Sequence, residues 1–289
     1  MESRPNIVGK LLSAVLLFVA FVAGGTLAAQ SVAKPDKPQK EDKGYTLYEQ
    51  FEGSSNTLGQ VLKFDTSAGY NFNKFFGVDL GVPVYIVRAS TTSTGTTAPK
   101  STSGMGDVYT DLRLTVDNPL LNYASTLTGR APTGSTQSGL STGRATFEWM
   151  NHFDRGFLGL RPFVNLGVAN SISDTHFFVR PFTTLGKVGE FEGGASYKLL
   201  HLVGVGASLY ADEPWGTQKV FSKLVRRKET TGSASLARDN GFSAWFDASP
   251  VHFLDFELGY NRSIHYDLNT VSFSVGFNVG SLVKLGKHL

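Results

Sequence analysis

The stretch that follows Gly106 alternates between polar and apolar side chains at every second residue. The set suited to an apolar surface is Val108, Thr110, Leu112, Leu114 and Val116, and the polar set is Asp107, Tyr109, Asp111, Arg113 and Thr115. A period of two indicates a β-strand whose two faces meet different surroundings. The charged set recurs on segment after segment, while the opposite set is rich in Val, Leu, Phe and Trp. This combination predicts a barrel whose outer face contacts lipid.

About twelve segments of this kind follow Gly44, each with the roughly 9 to 11 residues, or slightly more, that a tilted membrane-spanning strand requires. They cover residues 44–53, 58–72, 76–89, 105–117, 123–132, 143–153, 157–170, 186–198, 202–213, 240–249, 254–265 and 269–280. Pro83 interrupts the third segment and predicts a bulge or bend near its outer end. The predicted fold class is all-β: a closed, antiparallel, up-and-down transmembrane β-barrel of about 12 strands.

Short and long connections alternate strictly along the chain. The short ones cover residues 71–74, 117–122, 154–157, 199–202 and 249–252, and the long ones cover 90–104, 133–142, 171–185 and 213–239. Outer-membrane barrels have short periplasmic turns and longer outer loops. The alternation therefore predicts which end of the barrel faces the cell exterior.

The N-terminus has the three parts of a secretory signal. Arg4 and Lys10 supply the positive flank, and the small-residue region that ends at Ala28 and Ala29 supplies the cleavage site. The apolar centre has about 12 residues, against the ~20 that an uncleaved membrane anchor, the alternative, would need. The predicted organisation is a cleaved signal peptide over residues 1–29, a flexible periplasmic leader over 30–43, and an outer-membrane barrel over 44–289. We therefore expect export to a bacterial outer membrane.

Composition removes several functional classes. The chain has no Cys, which excludes a disulfide scaffold, a Cys-based zinc site and a reactive thiol. The formal net charge of +3 does not favour a nucleic-acid partner, and 18% charged residues argue against disorder. We expect no metal and no cofactor.

Inward-facing polar residues are the candidate pore lining. The candidates are Asp107, Asp111, Arg113, Arg130, Arg144, Glu148, Arg161, Asn165, Glu190, Glu192, Asp247, Asp255 and Glu257. The arginines fall on the fourth to seventh segments, and most of the carboxylates fall on later ones. This distribution predicts a mainly basic wall opposite a mainly acidic one. The alternative is structural pairing, of Glu148 with Arg161 and of Asp111 with Arg130.

Two outer links carry further candidates. Phe177, Phe178 and Phe182 lie in a link that should be exposed to water. Because apolar rings avoid water, we expect the link to fold inward as a constriction of the lumen or to pack on a neighbouring loop. The last long link carries a basic group that predicts a solvated, charged hairpin above the membrane, and binding of lipopolysaccharide phosphates is the alternative. Its members are Lys219, Lys223, Arg226, Arg227 and Lys228.

A hydrolytic centre needs a nucleophile, a base and an orienting group within reach of one another. Ser263 and His265 share one predicted strand face, and Asp267 follows. Residues two apart along a strand lie about 7 Å apart, so this spacing does not make a triad. We expect no enzymatic activity, with an outer-membrane hydrolase kept as an alternative.

Four short motifs give the chain a resemblance to a known family. They are Gly106-Asp107-Val108, Pro132-Thr133-Gly134, Thr142-Gly143 and Asn165-Leu166-Gly167. With them the chain resembles the outer-membrane barrel family associated with the meta-pathway of phenol degradation. The resemblance implies a channel or uptake barrel for aromatic or other apolar small molecules. Outer-membrane barrels usually end on an aromatic residue that the barrel-insertion machinery recognises. This chain departs from that pattern, because its last aromatic residue is Phe277.

Together these features predict a passive channel or transporter for small solutes. Its expected partners are outer-membrane lipid, lipopolysaccharide, the barrel-insertion machinery and the small-molecule solute. A structural or adhesive surface barrel with a plugged lumen is the alternative from another class.

Overall fold

The computed structural model describes residues 43–90, 102–172, 182–200, 202–222, 230–251 and 253–279. The predicted signal peptide, the leader before Lys43, and the candidates Phe177 and Phe178 lie outside these ranges. Within them, no helix is long and apolar enough to cross a bilayer.

The described chain consists almost entirely of β-strands. In chain order they are β1 (Gly44–Asn56), β2 (Gly59–Asn71), β3 (Phe76–Ala89), β4 (Thr102–Met105), β5 (Val108–Val116), β6 (Asn122–Ala131), β7 (Thr146–Asp154), β8 (Leu160–Ala169), β9 (Phe182–Leu185), β10 (Val188–Leu200), β11 (Val203–Pro214), β12 (Gln218–Ser222), β13 (Thr230–Gly232), β14 (Asp239–Val251), β15 (Leu254–Ser263) and β16 (Leu268–Asn278). A short 3-10 turn, Ala234–Leu236, precedes β14.

A closed antiparallel barrel accounts for all strands except β9, β12 and β13. Each barrel strand pairs with the next along the chain, and β1 pairs with β16 from Tyr48 opposite Asn278 to Ser55 opposite Val271. β4 and β5 pair with consecutive parts of β3, so they count as one interrupted strand. The prediction of a closed barrel of about twelve antiparallel strands is confirmed.

The two faces of the wall have opposite chemistry. Phe64, Leu80 and Leu112 point outward and are 51%, 53% and 40% exposed, whereas Asp79 and Glu257 point inward and are buried. A soluble sandwich would bury the first group and expose the second. The apolar face therefore meets lipid, and the polar face surrounds the lumen.

The bend predicted at Pro83 takes the form of a bulge in the neighbouring strand. β3 pairs with β5 up to Gly81 and with β4 from Val84 onward. Between these points two residues of β3 face three of the partner, and the Gly106 N–H donates to the Pro83 carbonyl at 2.8 Å. Proline has no N–H to give this ladder, so the ladder breaks here.

The outer rim is uneven in height. The connections of β1 to β2 and of β15 to β16 span only residues 57–58 and 264–267, although both lie at the end that carries the long links. The predicted strict alternation of short and long connections is therefore wrong at these two places. The part of the outer rim with the long connections carries the three-stranded sheet of β9, β12 and β13. Below that sheet, Ala169, Ile172, Val188 and Ala237 form a small buried core.

Candidate functional site

Ionisable side chains are concentrated on the inward face of the barrel strands. The inward carboxylates of the described strands are Glu52, Asp65, Asp79, Asp111, Glu148, Asp154, Glu190, Glu192, Asp212, Asp239, Asp247, Asp255 and Glu257, and the inward basic residues are Lys63, Arg113, Arg130, Arg161 and Lys198. Seven of these carboxylates are among the pore-lining candidates named from the sequence, and six are not. The alternating pattern could have identified them, since each lies at a polar position of a strand in which polar and apolar residues alternate.

Four of the basic residues form ion pairs with carboxylates on their own or a neighbouring strand. The pairs are Lys63 with Glu52, Lys63 with Asp65 at 3.4 Å, Arg113 with Asp79, Arg130 with Glu148 at 3.0 Å, and Arg161 with Asp154 at 3.4 Å. Neighbouring carboxylates therefore balance the positive charges of these four residues locally. Among the described residues, this side of the barrel therefore carries cations and carboxylates in pairs, and a mainly basic wall is not observed there.

Of the two predicted structural pairs, Glu148 with Arg161 is not formed, whereas Asp111 and Arg130 are close enough to interact electrostatically. Glu148 lies directly opposite Ala169 at the outer end of β8, whereas Arg161 lies near the other end of that strand. Glu148 therefore pairs with Arg130 and not with Arg161, which corrects the prediction. Asp111 accepts a hydrogen bond from the Thr128 hydroxyl directly opposite, at 2.6 Å.

Two predicted lining residues belong to the outer mouth and not to the wall. β7 begins at Thr146, three residues later than predicted, so Arg144 lies in the link before it and is exposed. This corrects the placement of Arg144 on the barrel wall. Asp107 lies in the bulge between β4 and β5, where its carboxylate accepts the Gly134 N–H at 3.0 Å.

Asn165 belongs to a chain of polar contacts on the inner wall. Its side-chain oxygen lies 2.6 Å from the His152 Nδ1, and its amide donates to Glu192 at 2.7 Å. The other ring nitrogen of His152 lies 3.3 Å from Asp154. One Glu192 oxygen accepts from Asn165, and the other has no hydrogen-bond partner among the described residues.

The acidic side of the lumen sets carboxylates directly opposite one another on neighbouring strands. Glu190 faces Asp212, and Asp212 faces Asp239 in turn. Asp247 faces Glu257 in the same way. Like charges in such positions destabilise a sheet unless other groups balance them.

An aromatic surface lines part of the same wall. The Phe163 ring stacks on His152 at a centroid distance of 5.8 Å and lies 6.2 Å from Trp245. Trp245 covers Gly206, where a larger side chain would collide with its indole. Sequence analysis did not identify this surface, because Trp245 lies on β14, which is not adjacent to the strands of His152 and Phe163.

The link between β6 and β7 is anchored at the lumen entrance. Thr133 accepts the Val108 N–H at 2.9 Å and donates to the Gly106 carbonyl at 3.1 Å. Together with the Asp107 to Gly134 bond, these contacts join the Gly106-Asp107-Val108 motif to the Pro132-Thr133-Gly134 motif. The two motifs thus form one structural unit, which we call the mouth latch.

Leu140 holds the far part of this link inside the barrel. Its side chain is buried with Val61, Tyr85 and Val87, which face inward near the outer ends of β2 and β3. The next residue, Ser141, is also buried. Link residues 132–145 therefore narrow the entrance, and Leu140 is the apolar contact that keeps them there.

The other predicted outer-link residues are only partly described. The Phe182 ring contacts Tyr266 of the β15–β16 turn at a centroid distance of 5.6 Å, so it packs on a neighbouring loop. Lys219 lies in β12, opposite Leu185 and Thr231. The remaining basic candidates, Lys223, Arg226, Arg227 and Lys228, lie outside the described residues.

The residues considered for a hydrolytic centre do not come together in the structure. The Ser263 hydroxyl points inward and donates to Asp239 at 2.5 Å. His265 is exposed in the turn after β15, with its ring 4.9 Å from that of Tyr266. The prediction that Ser263 and His265 share one strand face is wrong, because the strand ends at Ser263. Asp267 pairs with Arg262.

No family model matches the chain, and no curated protein matches it. Among solved structures, an outer-membrane channel from Pseudomonas putida F1 is 11% identical over 89% of this chain and 99% of that chain, with a TM-score of 0.54. The NanC porin is 8% identical over 80% and 98%, with a TM-score of 0.47. The outer-membrane channel DcaP of Acinetobacter baumannii is 8% identical over 88% and 100%, with a TM-score of 0.34. The closed barrel, its apolar outer face and the first of these likenesses identify the chain as an outer-membrane β-barrel protein with a fold that is also used by channels.

Proposed function

We propose that the protein is a passive channel for small solutes across the outer membrane. The observation that carries this proposal is the closed barrel whose inner face is lined with charged and polar side chains. A polar lining offers hydrogen bonds to water and to polar solutes, which lipid does not. No catalytic role is part of the proposal, since Ser263 and His265 lie apart.

The size of the solute follows from the crowding of the lumen. Lys63, Asp65 and Glu257 point inward and are buried by their neighbours. The latch and Leu140 narrow the entrance further. Both features favour solutes of the size of a monosaccharide or an amino acid over larger molecules.

Liposome swelling tests the proposal. Purified protein reconstituted into liposomes should admit small sugars and amino acids at rates that fall steeply with solute size. Empty liposomes and liposomes with heat-unfolded protein are the controls. Absence of swelling with every solute would reject the channel and favour a structural or adhesive barrel with a plugged lumen. A lipid-hydrolysis assay on the same samples tests the hydrolase alternative.

Aromatic solutes are a second candidate. The observation that favours them is the inward-facing group of His152, Phe163 and Trp245, in which His152 and Trp245 are buried and the partly exposed Phe163 ring is the one that a passing aromatic ring can contact. It agrees with the solute class implied by the sequence resemblance. Phenolic solutes in the swelling assay should then enter faster than sugars of the same size, and the variant Phe163→Leu should remove this difference. Phe147→Leu, on the outward face, is the matched control.

A further inference from the structure

Inward-facing aromatic side chains of the barrel lie against glycines on the neighbouring stretch of chain. The described barrel strands carry six inward Phe, Tyr or Trp residues, and a methyl group added to a nearby glycine would crowd each of them. The pairs are Tyr48 with Gly276, Tyr85 with Gly106, Tyr109 with Gly81, Phe163 with Gly194, Tyr210 with Gly241 and Trp245 with Gly206. Glycine accounts for 32 of the 289 residues, so composition alone does not explain why every one of these aromatic residues meets one.

We infer that these glycines set the width of the lumen and therefore the size limit for solutes. This inference rests on the proposed channel function and deepens it. Inward side chains occupy much of the interior of a small barrel, and a long aromatic side chain that pointed towards the barrel axis would obstruct it most. A glycine in a strand lets another group approach the backbone closely. The ring can then lie along the wall and leave the central passage open.

The glycines differ in what an added methyl group would displace. At Gly81, Gly206 and Gly276 the three nearest atoms all belong to the aromatic side chain. At Gly194 and Gly241 the nearest atom is a backbone carbonyl oxygen of the adjacent strand. A methyl group therefore moves only the ring at the first three positions, whereas it distorts the strand pairing at the other two.

Tyr109 shows most directly that the ring follows the wall. It lies on β5 opposite Gly81 of β3, and its hydroxyl donates at 2.9 Å to Asp65 of β2, the strand beyond. The side chain therefore crosses β3 at the glycine. On its other side it faces Arg130 of β6, whose guanidinium binds Glu148 at 3.0 Å. A methyl group at Gly81 would lift the ring from β3 while Arg130 occupies the opposite side, so the ring would move into the lumen.

Single-channel conductance in planar bilayers tests the inference. We expect Gly81→Ala to lower the conductance about twofold or more, because one displaced ring fills much of a narrow lumen. Tyr109→Leu removes the ring, so adding Gly81→Ala to that variant should cause no further loss. In liposome swelling, Gly81→Ala should slow the larger sugars more than the smaller ones. Gly129→Ala is the matched control, since it adds the same methyl group on the outward face, where it meets nothing within 4 Å.

The outcomes separate the inference from the proposed function. Unchanged conductance in folded Gly81→Ala would overturn the inference and leave the channel intact. A loss of equal size in Gly129→Ala, or in Gly81→Ala combined with Tyr109→Leu, would also overturn it, because the ring would then not be the cause. Absence of conductance in the wild-type protein would overturn both. If Gly81→Ala does not give the compact form on a denaturing gel, Gly276→Ala with and without Tyr48→Leu forms the equivalent set.

Discussion

Glu49 is a clear exception to the alternating pattern on the lipid-facing surface. Glu49 lies on the outward face of β1 between Leu47 and Phe51, where neighbouring strands present apolar residues. Its carboxylate accepts one hydrogen bond, from the Thr66 hydroxyl at 2.6 Å. A carboxyl group that faces lipid loses most of its hydration and costs stability.

Replacement of this residue should stabilise the protein. We expect Glu49→Leu to raise the free energy of unfolding by about 1 kcal/mol, since it removes the desolvation cost of the carboxyl group. Thr66→Val should have the opposite effect, because Glu49 then has no donor. Urea unfolding in lipid vesicles measures both changes. Lower stability of Glu49→Leu would show that this carboxyl group contributes more than it costs.

Among the connecting elements, the link over residues 132–145 determines the width of the entrance. The mouth latch fixes its start to the β4–β5 bulge, and Leu140 fixes its middle to β2 and β3. This element combines hydrogen bonds at a motif with one apolar contact. Removal of that contact should therefore release the link without unfolding the barrel.

We expect Leu140→Ala to widen the entrance. Loss of the buried side chain removes at least roughly 2 kcal/mol of packing, which corresponds to a shift towards the released link of about 30-fold. Single-channel conductance and cleavage of the link by added protease should both increase. Leu120→Ala, in an exposed periplasmic turn, is the matched control. Unchanged conductance in Leu140→Ala would mean that the narrowest point lies elsewhere.

The sequence predicted the strands well and the links poorly, for a physical reason. Lipid on one side and a polar lumen on the other impose a period of two on every wall strand, and Leu80 and Asp79 display it locally. The contacts of Leu140 and Phe163 join segments far apart in the chain, so no local pattern reveals them. Arg130 was placed on the correct face, but its partner depended on a register that alternation does not specify.

At the scale of the whole molecule, closure makes the barrel a single cooperative unit. Every wall strand has two paired neighbours, so no strand can separate without breaking two ladders. Damage to one strand pair should therefore lower the stability of the whole barrel, and the position of a substitution matters more than its chemistry.

Two glycine substitutions test this expectation. A methyl group at Gly241 would collide with the Arg262 carbonyl on the neighbouring strand, whereas one at Gly129 would meet nothing within 4 Å. We expect Gly241→Ala to destabilise the barrel by about 2 kcal/mol and Gly129→Ala to have little effect. The temperature at which the protein loses its compact mobility on a denaturing gel measures both. Equal loss in the two variants would contradict the packing explanation.

The pairing of β1 with β16 has a consequence for biogenesis. It joins parts of the chain separated by more than 200 positions, so its loop-closure entropy exceeds that of any hairpin in the wall. The hairpins should therefore form first and leave an open sheet with two unsatisfied margins. Those margins are templates for pairing with other chains until the seam closes. Assembly must therefore shield both margins at once. A shortage of periplasmic chaperones should cause aggregation of this protein before β1 pairs with β16, and not afterwards.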